Sequence, residues 1–176
     1  MKNNYSKKII AVLMLLAAAG SFNSLRAQKL VFLFGHLVYS APLGSDFSAA
    51  YSYGIGGEAG IGVGLLGKTF FTGTVGATDF VHASGSVIGN LHYIPVKAGV
   101  RHYVFAKMIF IHGDLGAGFI TEKKIDYTAT KFTGDLGVGV KFAVFELQAD
   151  YDGFVGDNQN PGGSWFALKA GFSFGL

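Results

Sequence analysis

Charged and hydrogen-bonding side chains recur at every second residue in several stretches of this chain, as in Glu146, Gln148, Asp150 and Asp152. The same spacing sets His112 two residues before Asp114, and Lys97 four residues before Arg101. Glu58, Asp135, Lys141 and Lys169 stand in similar alternating surroundings. Side chains with this period project from one face of a β-strand. Acids and bases collected on one face can pair into a buried ionic network, because an isolated charge away from water is costly. They can also line a narrow path for ions or water. Asp114 and Lys141 are the pair expected across adjacent strands.

Other constellations fail their own chemical tests. His82 and Ser84 have the H-x-S spacing of outer-membrane lipid A deacylases, and a serine nucleophile needs such a base within hydrogen-bond reach. No Asp or Glu lies between Ser84 and Asp114 to orient the histidine, so both are expected to be polar loop residues. The segment "GDNQNPGGS", residues 156–164, lacks the spaced carboxylates of a calcium loop and reads as a turn. In "GIGGEAGIGVGLLGK", residues 54–68, glycines fall at period two with no helix following, which excludes a phosphate loop. There is no cysteine, hence no disulfide or thiolate metal site. No catalytic residue, cofactor or metal is expected.

The elements that must carry these residues are strands. Eight segments alternate in character: residues 29–39, 54–65, 68–80, 91–105, 108–121, 131–143, 145–155 and 164–176. Their connections alternate between tight and long, the long ones being residues 40–53, 81–90, 122–130 and 156–163. That alternation predicts an all-β, eight-stranded antiparallel up-and-down barrel, with tight turns at one rim and loops at the other. On most strands one face is Ile, Leu, Val or Phe and the other glycine plus charge. The first strand is apolar on both sides and resists assignment.

Which face points inward decides the class of protein. A soluble lipocalin-like carrier would bury the oily face and expose the other, yet soluble surfaces carry about 25–35% charged residues and these strands offer rows of glycine. Small residues suit a narrow lumen. An apolar exterior suits lipid, where a closed barrel leaves no unpaired backbone edge. Phe70, Phe71, Phe105, Phe142 and Phe145 near the tight turns are expected to form one interfacial girdle. Tyr39, Tyr51, Tyr53, Phe80, Tyr93, Phe119, Phe154, Trp165 and Phe166 toward the long loops form the other.

The N-terminus fits export. Lys2, Lys7 and Lys8 precede an apolar run over residues 9–19, and Ser24-Leu25-Arg26-Ala27 offers a cleavage site after Ala27. This predicts a cleaved signal peptide over residues 1–27 and a barrel over residues 28–176. The run is too short for the roughly 20 residues of a spanning helix. The formal charge of +3 is largely the signal's, since four of the basic residues leave with it and no acid does. Without a clustered basic face, no nucleic-acid partner is expected.

Lys169, Gly171, Phe174 and Leu176 resemble the C-terminal assembly signal of bacterial outer-membrane barrels, with Leu in place of the usual final Phe. Together with "SYGIGGEAG", "YIPVKAGVRHY" and "HGDLGAGF", the chain resembles the small outer-membrane β-barrel domain family common in Bacteroidota. The resemblance implies a barrel in the outer membrane of a Gram-negative cell envelope, with lipid and the barrel assembly machinery as partners. Glu58, Lys97, Arg101, His112, Asp114, Asp135, Lys141, Glu146, Asp150 and Lys169 are expected inside it. The expected role is non-enzymatic, structural or surface-interacting, with an extracellular ligand met through the long loops. The alternatives are a porin-like small-solute or ion channel and, less favoured, the soluble carrier or a lipid A-modifying enzyme.

Overall fold

The computed structural model describes residues 31–85, 88–156 and 161–175. The expected signal peptide and Leu176 lie outside the described residues. Eight strands close into one antiparallel barrel, each pairing with the next and the last returning to the first. They are β1 (Val31–Leu43), β2 (Tyr51–Leu66), β3 (Thr69–His82), β4 (Leu91–Phe105), β5 (Ile109–Glu122), β6 (Tyr127–Phe142), β7 (Phe145–Phe154) and β8 (Gly163–Gly175). Closure runs through twelve β1–β8 partners from Phe32↔Gly175 to Leu43↔Ser164, so neither strand is left as a free edge.

Three hairpins form the turn end. Between β4 and β5, Ala106 and Lys107 adopt φ of 45° and 56°, the consecutive left-handed pair that matches strand twist in a tight hairpin. The loop end differs from expectation because the strands run further. β1 and β2 extend into residues 40–53 and leave Gly44 and one short helix, α1 (Ser45–Ala50). β6 begins at Tyr127, so the connection after β5 shrinks to residues 123–126.

The faces sort by parity. Along β8, Trp165, Ala167, Lys169 and Ser173 are buried, while Phe166, Leu168, Phe172 and Phe174 are exposed. The exposed set continues around the barrel through Leu37, Ile55, Leu115, Leu136 and Leu147. β1 now takes an orientation: Phe32, Phe34, His36, Val38 and Ser40 point inward.

The interior is not only glycine and charge. Large rings fill both ends of it. At the turn end, Phe32, Phe70, Tyr103 and Phe110 are linked by ring separations of 5.2, 5.8 and 5.4 Å. At the loop end, Phe47 of α1 drops among Tyr51, Phe80, Phe154 and Trp165, all within 5.8 Å of its ring. Tyr51, Phe80, Tyr93, Phe154 and Trp165 lie at the level of the loop-end girdle but turn inward and plug the mouth. Tyr39, Tyr53, Phe119 and Phe166 stay outside, as do Phe71, Phe105, Phe142 and Phe145 at the other rim. Phe70 turns inward to meet Phe32.

Glycine makes room for these rings. Phe34 lies opposite Gly60, Phe32 opposite Gly62, Phe80 opposite Gly54 and Phe110 opposite Gly139. A β-carbon at Gly54 would sit 2.9 Å from the Phe80 ring, and the others would press into their facing rings as closely or more so. These four glycines are the negative image of the rings; others, such as Gly99 and Gly116, admit the neighbouring strand's backbone.

Candidate functional site: the lumenal ion-pair network

Between the two aromatic layers lies a band of charge supplied by every strand except β3, each residue brought inward by the period of two. Arg101 on β4 donates to both oxygens of Glu146 on β7, at 3.0 and 3.1 Å. Its guanidinium also stands 4.2 Å above the Phe110 ring and about 5 Å from those of Phe32 and Phe34. Such cation–π contacts in a dry setting are worth about 2 kcal/mol.

From Glu146 the network passes to His36 at 3.1 Å, then to Glu58 at 3.0 Å and on to Lys169 at 3.0 Å. Lys169 reaches Asp150 at 2.7 Å and Asp152 at 3.8 Å. Asp150 meets His112 at 3.0 Å, whose other nitrogen contacts Asp114 at 3.1 Å and Asp135 at 3.4 Å. Lys97 closes the circuit between Asp135 and Asp152. Thr72 of β3 adds a hydroxyl donor to Asp114 at 2.8 Å.

Charge accounting explains the composition. The carboxylates are Glu58, Asp114, Asp135, Glu146, Asp150 and Asp152, and the permanent cations Lys97, Arg101, Lys141 and Lys169. Both ring nitrogens of His36 and of His112 face carboxylate oxygens. Ionised carboxylates only accept hydrogen bonds, so a ring that donates from both nitrogens suits the oxygens around it. The band is then neutral as a whole, which is how a buried charge cluster avoids its desolvation cost.

All ten residues expected in the interior lie on inward-facing positions, but the expected Asp114–Lys141 pair does not form. The β5–β6 register sets Asp114 opposite Asp135. Lys141 falls just beyond the first residue of β5, where its ammonium donates to the Ser173 hydroxyl at 2.8 Å and lies 4.0 Å from Glu146. Sequence reasoning missed His36, because β1 could not be oriented, and also the buried Lys131 and Glu122. His36 is the one ionisable side chain on the inward parity of Phe32, Phe34 and Val38, the signal that was available.

Two other candidates resolve into structural roles. His112, Asp114 and Asp135 bring a nitrogen and two oxygens within 4.8 Å, a spacing a metal could bridge. Lys97 and Thr72 already serve those carboxylates, so the cation there is an ammonium. His82 bonds to Asn90 at 2.8 Å, while Ser84 lies in the exposed turn.

Glu122, 1% exposed, organises the loop end. It accepts from the backbone N–H groups of Gly89, Lys124 and Ile125 at 3.1, 2.8 and 3.1 Å. Glu122→Ala is expected to cost about 1–3 kcal/mol by removing the shared acceptor of three half-buried backbone donors. Faster amide exchange at Gly89, Lys124 and Ile125, with Phe110 unaffected, is the corresponding readout.

No protein-family model and no curated protein matches this sequence. Solved structures do match its fold. Ail, the attachment invasion locus protein of Yersinia pestis, solved in complex with the heparin analogue sucrose octasulfate, aligns with a TM-score of 0.55 at 16% identity over 82% of this chain and 98% of its own. The N-terminal β-barrel domain of Pseudomonas aeruginosa OprF aligns at 0.55 and 15% identity, over 81% and 97%. Neisserial surface protein A aligns at 0.55 and 15% identity, over 82% and 97%. The fold is that of the small eight-stranded outer-membrane barrels.

Proposed function

We propose that this chain is a non-enzymatic barrel of the bacterial outer membrane, closed to solutes, with a structural and surface-interacting role. The observation that carries this reading is the filled lumen. Among the described residues, the cavity beside Glu58, Lys97 and Lys169 has a volume of only about 10 Å³, room for roughly one water. The aromatic layers close it at both ends. Wide diffusion pores need about 16 strands or more, and this barrel has eight.

The membrane setting is supported by the exterior. Leu37 is 77% exposed, Leu136 69% and Phe142 75%, within an apolar surface that circles the barrel. Soluble monomers rarely expose contiguous apolar patches beyond a few hundred Å². In lipid the same surface is the favourable one. Export through a cleaved signal over residues 1–27, and assembly read from Lys169, Gly171, Phe174 and Leu176, complete the reading. It sets the tight turns in the periplasm and the loops outside.

Two measurements test it. Purified protein in planar bilayers is expected to give no conductance steps, and regular steps from the unmodified chain would overturn the closed-lumen reading. Leu136→Arg is expected to destabilise the folded state in lipid vesicles by about 2–4 kcal/mol, as for a cation on the lipid face near mid-bilayer. An unchanged urea midpoint would contradict a lipid-facing Leu136.

A further inference from the structure

The loop end holds a cavity of about 220 Å³ that the lumenal network does not use. It lies beside α1, against Ile125 of the connection that follows β5 and against Pro161 and Gly162. Its walls are apolar and aromatic, with Phe47, Leu91, Ile120, Ile125 and Phe154 contributing, and the rings of Tyr51 and Tyr127 complete them. Its size is below the roughly 300–1,000 Å³ of sites for drug-sized ligands. A molecule built on a single ring fits that scale.

The polar groups are one-sided. Asp46 and Glu122 line the cavity, and no lysine, arginine or histidine stands among the described lining residues. Glu122 is nearly fully buried. Its oxygens are satisfied by three backbone N–H groups, and these supply hydrogen bonds without supplying a positive charge. None of the ion pairs among the described residues includes it. Every other buried carboxylate of the barrel has a lysine, arginine or histidine partner. Among the described residues, Glu122 is the one buried carboxylate with no lysine, arginine or histidine within ion-pair distance, and it stands at the edge of a pocket with aromatic walls.

We propose that this cavity binds a small organic cation, an ammonium group carried on an apolar, ring-sized body. The ammonium supplies the charge that Glu122 and Asp46 lack, and the rings of Phe47, Tyr51, Tyr127 and Phe154 offer the electron-rich faces that attract cations. The body replaces water against the apolar wall. The proposal rests on the surface-interaction reading above and names the ligand class for its loop end.

The protein carries its own reporter. Trp165 is the only tryptophan and lies 5.8 Å from Phe47 and 5.9 Å from Phe154, both of which line the cavity. The folded full-length barrel in detergent would be titrated with phenethylamine, 2-phenylethanol and 3-phenylpropionate while Trp165 emission is followed. Saturable binding of phenethylamine, at least tenfold tighter than that of 3-phenylpropionate, is expected. Ala50→Phe should fill the cavity and abolish the response. Asp46→Asn, at an exposed site that leaves the fold intact, should weaken phenethylamine several-fold and leave 2-phenylethanol unchanged. Equal affinity for cation and anion, a non-saturating response, or indifference to both variants would overturn the proposal. Bilayer conductance of the same preparation is scored separately, so a conducting barrel that still binds phenethylamine defeats the closed-lumen reading alone.

Discussion

Lys169→Met is expected to destabilise the barrel by about 3–5 kcal/mol, the range for removing one partner of a buried, hydrogen-bonded charge cluster. Lys169 is 4% exposed and is the common partner of Glu58, Asp150 and Asp152. Methionine keeps the length of the side chain, so packing changes little and the loss is electrostatic. Three carboxylates then crowd a low-dielectric interior with one cation fewer. Urea midpoints of the folded protein in vesicles, followed by the gel shift between boiled and unboiled samples, give the number. Lys141→Met supplies the comparison, because that side chain is 20% exposed and sits at the rim. Its effect should be under half as large. Equal effects would mean that water reaches Lys169.

Gly171→Ala is expected to destabilise the closed barrel even without any cellular machinery. A β-carbon at Gly171 would meet the backbone of Gly35 and lie 2.7 Å from the Cα of His36, and a paired strand cannot move away as a flexible side chain can. Overpacking of this kind costs about 1–3 kcal/mol and occasionally more. Here it strikes the β1–β8 seam, where Gly171 pairs with His36 and where the cylinder must close. Gly171 and Phe174 both belong to the proposed assembly signal, yet Phe174 points outward and is half exposed. Refolding from urea into detergent separates the two roles. Gly171→Ala should refold there with a lowered urea midpoint, whereas Phe174→Gln should keep its midpoint in detergent and show its defect only in cells, where the signal is read. An unchanged midpoint for Gly171→Ala would remove the steric argument.

The strands and their order were legible because the period of two is a local property. Glu146 through Asp152 announces its inward face without knowledge of any neighbour. Partnership was not legible, since it depends on stagger between strands, a sum over the whole circuit. Asp114 meets His112 and Thr72 rather than Lys141 because the stagger of β5 on β6 sets it opposite Asp135, far along the strand from Lys141. The inward rings were hidden for a different reason. Hydropathy reads Phe80 or Trp165 as suited to lipid, and only the glycine opposite says that the ring has space within. α1 gave no signal at all. Six residues are too few for a periodic pattern, and Phe47 alone carries its burial.

The glycine and ring partners across neighbouring strands have an evolutionary corollary. At Phe34 and Gly60, or Phe110 and Gly139, volume is conserved by the couple and not by either site. Enlarging the small member collides with its mate, and trimming the large one hollows the shaft. Drift at these sites should therefore proceed by reciprocal exchange, bulk crossing from one strand to the next. Related sequences would then keep the sum while shuffling which strand holds it.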